Sequence, residues 1–154
     1  MKRDSRLSNV LHALLHMAEM DGPATSDSLA QAMQTNPVVV RRLMAGLRYA
    51  GFVSSAKGHG GGWVLSCPLA DITLRDIHEA LGAPTLLAVG NRVESPGCVV
   101  EQAVNEALSD AFEAAEQVLL TRLGEVTLAQ LSAQFHERMV ARGHAHKDFS
   151  HEHL

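Results

Sequence analysis

The sequence predicts a mainly α protein, in which a head of short helices bearing one β-hairpin is followed by a long helix. Three observations predict it. Asn36-Pro37-Val38-Val39-Val40-Arg41-Arg42-Leu43 opens a helix with two opposed faces. Gly58-His59-Gly60-Gly61-Gly62 sits between two short runs of strand-forming residues. Apolar residues then recur at helical spacing from Val100 to Leu123, a stripe longer than a small head can cover.

Asn36 suits a helix cap and Pro37 the first turn, because neither position needs an ordinary backbone donor. At 100° per residue, Val40, Leu43, Met44 and Leu47 share one face, and Val38, Arg41, Arg42 and Ala45 share the opposite one. One side is therefore buried while the other presents two guanidinium groups among small side chains, a shape suited to the DNA major groove. The basic, glycine-rich hairpin tip that follows offers a second DNA contact. Together these features read as a winged helix-turn-helix.

The other elements follow in order. Leu7, Val10, Leu11, Leu14, Leu15 and Ala18 mark a first helix over residues 6–20, stopped before Gly22-Pro23. Ser26 is expected to cap a second helix with Leu29, Ala30 and Met33 inside, and Thr35-Asn36 to make the turn. The Pro37 helix runs to Ala50 and stops at Gly51. Phe52-Val53-Ser54-Ser55 and Trp63-Val64-Leu65-Ser66 are the hairpin strands. Thr73 with Asp76 resembles a capping box for a helix with Leu74, Ile77 and Leu81 inside, ending at Gly82. Residues 83–97 read as a loop, and Ser95-Pro96 opens the longest helix, over 97–123, closed by Gly124. Its stripe (Val100, Val104, Leu108, Phe112, Val118, Leu119) is most simply covered by a second copy, giving a homodimer. Thr127 caps a final helix with Leu128, Leu131, Phe135 and Met139. The expected organisation is thus a DNA-binding head at 1–82, a sensor or connecting loop at 83–97, dimerisation helices at 98–141 and a His-rich, disordered tail at 142–154.

Bulk properties narrow the function classes. Residues 1–63 hold seven Lys and Arg against four Asp and Glu, whereas residues 64–154 hold six against thirteen. The whole-chain charge of −4 therefore hides a basic N-terminal half suited to phosphates. No long uncharged apolar run suggests a membrane span, and the polar Met1-Lys2-Arg3-Asp4-Ser5-Arg6 start is unlike a secretory signal. Cys67 and Cys98 are the only cysteines, which points to a reducing cytoplasm and away from a disulfide framework.

The motifs also resemble a known family. Leu43 through Leu47-Arg48 to Gly51-Phe52-Val53, the wing Ser55-Ala56-Lys57-Gly58-His59-Gly60-Gly61-Gly62-Trp63 and the segment Ile72-Thr73-Leu74 to Ile77 are similar to landmarks of the Rrf2 family of bacterial winged-helix regulators. The likeness spans roughly residues 5–135. The Asn-Pro-Val-Val-Val-Arg-Arg form resembles the YwnA-like subgroup, which lacks an iron–sulfur cluster. The resemblance implies that Val38, Arg41 and Arg42 meet bases and phosphates in the major groove, and that Lys57 reaches the minor groove where relatives use Arg. A lysine keeps the charge but loses the planar fork. Ser26, Asn36, Val39, His59 and Gly60 complete the candidate DNA-binding set. The resemblance further implies a pseudo-palindromic DNA duplex as the partner, and the expected function is that of a dimeric transcriptional repressor released by a redox or small-molecule signal.

The resemblance also locates a difference in the sensor. Cluster-binding relatives carry three cysteines before the long helix, where this chain has Cys98 alone, so no cofactor is expected. Cys98 instead sits at a helix start, where the dipole favours thiolate chemistry, and is a candidate sensor; a small packed side chain is the plain alternative. Cys67 reads as a packed thiol. His144, His146, His151 and His153 could bind metal, but a solubilising tail is the simpler reading, so no metal site is assigned. His59-Gly60-Gly61-Gly62 also resembles an esterase oxyanion motif, yet no G-x-S-x-G nucleophile turn exists, and no catalytic residue is expected. The competing function is a winged-helix module for protein contacts with no operator of its own, which salt-dependent duplex binding would distinguish.

Overall fold

The computed structural model describes residues 5–58, 60–87 and 97–143. Along them run α1 (Arg6–Glu19), α2 (Ser26–Ala32), α3 (Pro37–Tyr49), β1 (Val53–Ala56), β2 (Gly62–Leu65), a 3-10 turn at Leu69–Asp71, α4 (Leu74–Ala80), α5 (Val99–Gly124) and α6 (Leu128–Ala141). The protein is mainly α, with one antiparallel hairpin that pairs Val53 with Leu65 and Ala56 with Gly62. The expected wing tip residue His59, the Ser95-Pro96 helix opening and the tail from His144 lie outside the described residues. Among the described residues, no helix is long and apolar enough to cross a membrane.

One core organises the head. Val10, Ala13, Leu14 and Met17 of α1 meet Leu29 and Ala30 of α2 and Val40, Met44 and Leu47 of α3, joined by Val53, Trp63, Ile72 and Ile77. Each of these helices buries the face its spacing foretells. Burial of each large aliphatic side chain is worth about 1.5–3 kcal/mol, enough to override the modest helix propensity of the Val-Val-Val run in α3. Gly46, on α3, is required by contact rather than by flexibility. A Cβ there would stand 2.6 Å from the Ala80 carbonyl oxygen, so the backbone of α3 packs directly against the backbone at the end of α4.

Local corrections have local reasons. Helix α2 is capped by Thr25 rather than Ser26: Ser28 N donates to Thr25 Oγ1 at 3.0 Å, and Ser26 opens the first turn. Adjacent Thr and Ser are both good caps, so composition did not separate them. The strands begin and end one residue away from expectation. Helix α5 starts at Val99 with Cys98 at its cap. Gly124 is its last helical residue, not a left-handed stop, and Glu125 follows in right-handed helical conformation. The capping box of Thr73 and Asp76 forms as expected, with bonds of 2.9 and 3.0 Å. A second box joins Thr127 to Gln130.

Helix α6 is part of the head as much as of the C-terminal half. Leu74 N donates to Val126 O at 3.0 Å and Leu128 N to Ile72 O at 2.9 Å, so the two boxed helix starts are bridged side by side. Leu128 is fully buried in the head core and Leu131 packs against it. His136 Nε2 lies 3.1 Å from Glu19 Oε1, tying α6 to α1. Helix α5 behaves differently. It contributes no buried residue, and Val100 (72%), Val104 (51%), Leu108 (42%) and Val118 (65%) are exposed.

Candidate nucleic-acid interface

The candidate surface begins with the cap of α3. Asn36 is extended, and its Oδ1 accepts from Val39 N at 3.1 Å. That bond commits the Val39 amide to the helix, and the Val39 side chain is half-buried. Asn36 therefore serves first as a cap, with its side-chain nitrogen left for solvent or phosphate. Val38 is 57% exposed, and Arg41 and Arg42 are exposed beside it. Neither arginine is held in an ion pair among the described residues. Both guanidinium groups are thus available for phosphate or guanine edges.

Sequence reading missed the far end of this face. Tyr49 is 96% exposed and falls within about 20° of Val38 around the helix, while exposed Arg48 stands two turns beyond Arg41. Carrying the helical wheel past Ala45 would have found both. The face is a stripe of Val38, Arg41, Arg42, Ala45, Arg48 and Tyr49, cationic along its length and apolar at its start.

The wing is placed by pairing rather than by its glycines alone. Ala24 N donates to Trp63 O at 2.9 Å and Trp63 N to Ala24 O at 2.7 Å, so β2 is bridged to the segment between α1 and α2. Trp63 is buried, and its Nε1 donates to Ser26 Oγ at 3.1 Å. Ser26, expected at the DNA, is thus half-buried, with its hydroxyl engaged as the wing's anchor. Gly62 (φ +156°) makes the approach possible, because a Cβ there would stand 2.5 Å from Ala24 O. Beyond this anchor the tip turns through Gly61 N to Gly58 O at 3.0 Å, leaving Lys57 and Gly60 exposed. The structure therefore brings Val38, Arg41 and Arg42 onto one exposed face and holds the hairpin that carries Lys57 by a separate anchor.

The two thiols lie in different settings. Cys98 is exposed at the start of α5, with no side-chain bond to the helix end. Cys67 is partly buried after β2, and burial, followed by the negative charges of Asp71 and Asp76, pushes its thiol up. Its thiolate is correspondingly scarce at neutral pH.

Comparison with known proteins accords with this geometry. Residues 3–134 match the Rrf2 family, described as an iron-dependent transcriptional regulator. The HTH-type transcriptional regulator YwnA of Bacillus subtilis is 30% identical over 125 residues, covering 81% of this chain and 92% of that protein. A transcriptional regulator from Lactobacillus plantarum is 25% identical with a TM-score of 0.70, covering 88% of this chain and 92% of its own. CymR, the global cysteine regulator of B. subtilis, is 26% identical with a TM-score of 0.57, covering 87% and 98%. The family's iron chemistry does not fit the thiols present. An iron–sulfur cluster needs several thiolates, whereas this chain has one cysteine behind the wing and one at the start of α5. Among the described residues, no three His, Cys, Asp or Glu side chains are grouped to hold a metal ion. On the family match, the YwnA likeness and the shared winged head, the chain belongs to the Rrf2 family of transcriptional regulators and is not an enzyme.

Proposed function

We propose that the protein is a cytoplasmic, homodimeric repressor that grips a pseudo-palindromic operator and lets go when Cys98 is modified. The observation that carries this reading is the exposed cationic stripe of α3 beside an anchored wing. Helix α3 enters the major groove with Val38 toward base methyl groups and Arg41 and Arg42 toward guanine edges or phosphates. Lys57, with Gly60 near the wing tip, follows the adjacent minor groove. Asn36 and Tyr49 approach the backbone from the two ends of the helix.

The uncovered apolar face of α5 supports the dimer. At about 1.5 Å per residue, its 26 residues span about 39 Å, long enough to pair with a second copy along most of its length. Two-fold pairing would set the α3 helices about one turn of duplex, or a multiple, apart. Cys98 lies where the connection from the head enters α5. A group added there would alter how the two heads are spaced, and losing one head's grip loses the avidity of the pair. The likeness to CymR, the global cysteine regulator of B. subtilis, supports a thiol signal.

Three outcomes are expected. Replacing Arg41 or Arg42 by Ala weakens operator binding by about 1–3 kcal/mol if the side chain reads a guanine, or lowers the salt slope by about one if it holds phosphate. A double Ala variant with unchanged affinity and slope rules out α3 as the reader. Wild-type binding that hardly depends on salt would instead favour a module for protein contacts.

Leu108→Glu is expected to shift the protein to monomer in sedimentation at micromolar concentration, because pairing would bury an unpartnered charge at a cost of several kcal/mol. A variant that stays dimeric places the interface elsewhere.

Maleimide is expected to label Cys98 ahead of Cys67 at neutral pH. Cys98→Ser should bind the operator normally yet keep it under oxidant, whereas Cys67→Ser should still release it. Wild-type binding that is identical before and after oxidation removes the thiol from the mechanism and leaves a small ligand as the signal.

A further inference from the structure

We propose that His12 and His16 form a two-histidine site for a late first-row divalent cation, such as zinc, nickel or copper, on the outer face of α1. The inference is independent of the operator and the dimer. The two side chains stand one helical turn apart, and their Nε2 atoms converge to 2.7 Å. The rings lie 4.5 Å apart at 45° to one another. Val10, Ala13, Leu14 and Met17 occupy the opposite, buried face, so the pair points away from the core and the helix behind it is rigidly held.

At 2.7 Å one Nε2 must donate and the other accept. Two donors would repel, and two lone pairs would gain nothing from the approach. The two nitrogens thus face one another on the outer side of the helix, at the one-turn spacing that paired histidines use to bind zinc. When the cation enters, the donor ring carries its hydrogen on Nδ1 instead, and both Nε2 lone pairs become ligands. Metal–nitrogen bonds of about 2.0–2.1 Å need the two nitrogens to open to a little over ~3 Å apart, a small side-chain rotation. Imidazole donors select copper, nickel and zinc over magnesium or calcium.

Among the described residues no third ligand joins this pair, and water can fill the coordination positions they leave open. Glu19, one turn further along the same face, is already engaged with His136 of α6. The site needs no thiolate, and it is distinct in composition from any cysteine-held cluster.

The test must separate this site from His144, His146, His151 and His153. The parent is therefore the full chain with those four histidines replaced by Ala. Zinc chloride should raise its thermal unfolding midpoint, because a cation that binds the folded helix pair and not the unfolded chain stabilises the former. At free zinc ten times its dissociation constant, the unfolding equilibrium constant should fall about elevenfold. His12→Ala and His16→Ala should each abolish that response while leaving the zinc-free midpoint close to the parent's. Copper(II) bound to the parent should show hyperfine coupling to two imidazole nitrogens in its paramagnetic resonance spectrum, reduced to one in either variant. Zinc stabilisation of the His12→Ala and His16→Ala variants equal to the parent's, or no stabilisation of the parent, overturns the site. So does a copper spectrum without imidazole coupling.

Discussion

The pairing of Trp63 with Ala24 is the constraint on which the candidate DNA-reading surface depends. A wing is a thin two-stranded hairpin, and such hairpins are marginal unless packed on something larger. Here β2 is held to the stretch between α1 and α2 by two backbone bonds, and the indole closes the same gap with a third bond to Ser26. The consequence reaches α3, because α2 and α3 share one core with α1 and the wing. Fixing the hairpin against Ala24 also fixes where Lys57 lies relative to Arg41 and Arg42.

A second constraint acts at the other end of the head. The bridged starts of α4 and α6 bury Leu128 in the core, and α6 then runs back along α1 to the His136–Glu19 pair. Helix α5 therefore leaves α4 and returns through α6 to the same body, while its own apolar face stays bare. That division of labour suits a regulator. Among the described residues, the α5 face is an extended apolar surface left bare, of the kind a partner could cover.

Much of the fold was legible in residue spacing. The buried faces of α1 and α3, the Asn36-Pro37 start and the Thr73–Asp76 box all follow from periodicity and capping chemistry, which are local. The misreadings share a different cause. Ser26 and Thr25 are both good caps, and the hydroxyl of Ser26 is engaged instead by the distant Trp63, 37 residues on. Gly62 reads as one more turn residue until the Ala24 carbonyl is seen against it. The place of α6 in the head depends on the bridge between Thr73 and Thr127. Tyr49 and Arg48 are the exception, since their face was computable and simply extended further than the arginine pair suggested. Long-range contacts, not local propensity, set these details.

Footprinting of a Gly62→Ala variant tests the wing anchor most directly. The added Cβ must push Trp63 and Ala24 apart, while the buried face of α3 is untouched. Guanine protection in the major groove under α3 should persist, and hydroxyl-radical protection of the flanking minor groove under the wing should be lost. If both patterns match the wild type, the Trp63–Ala24 pairing does not set the register between wing and helix.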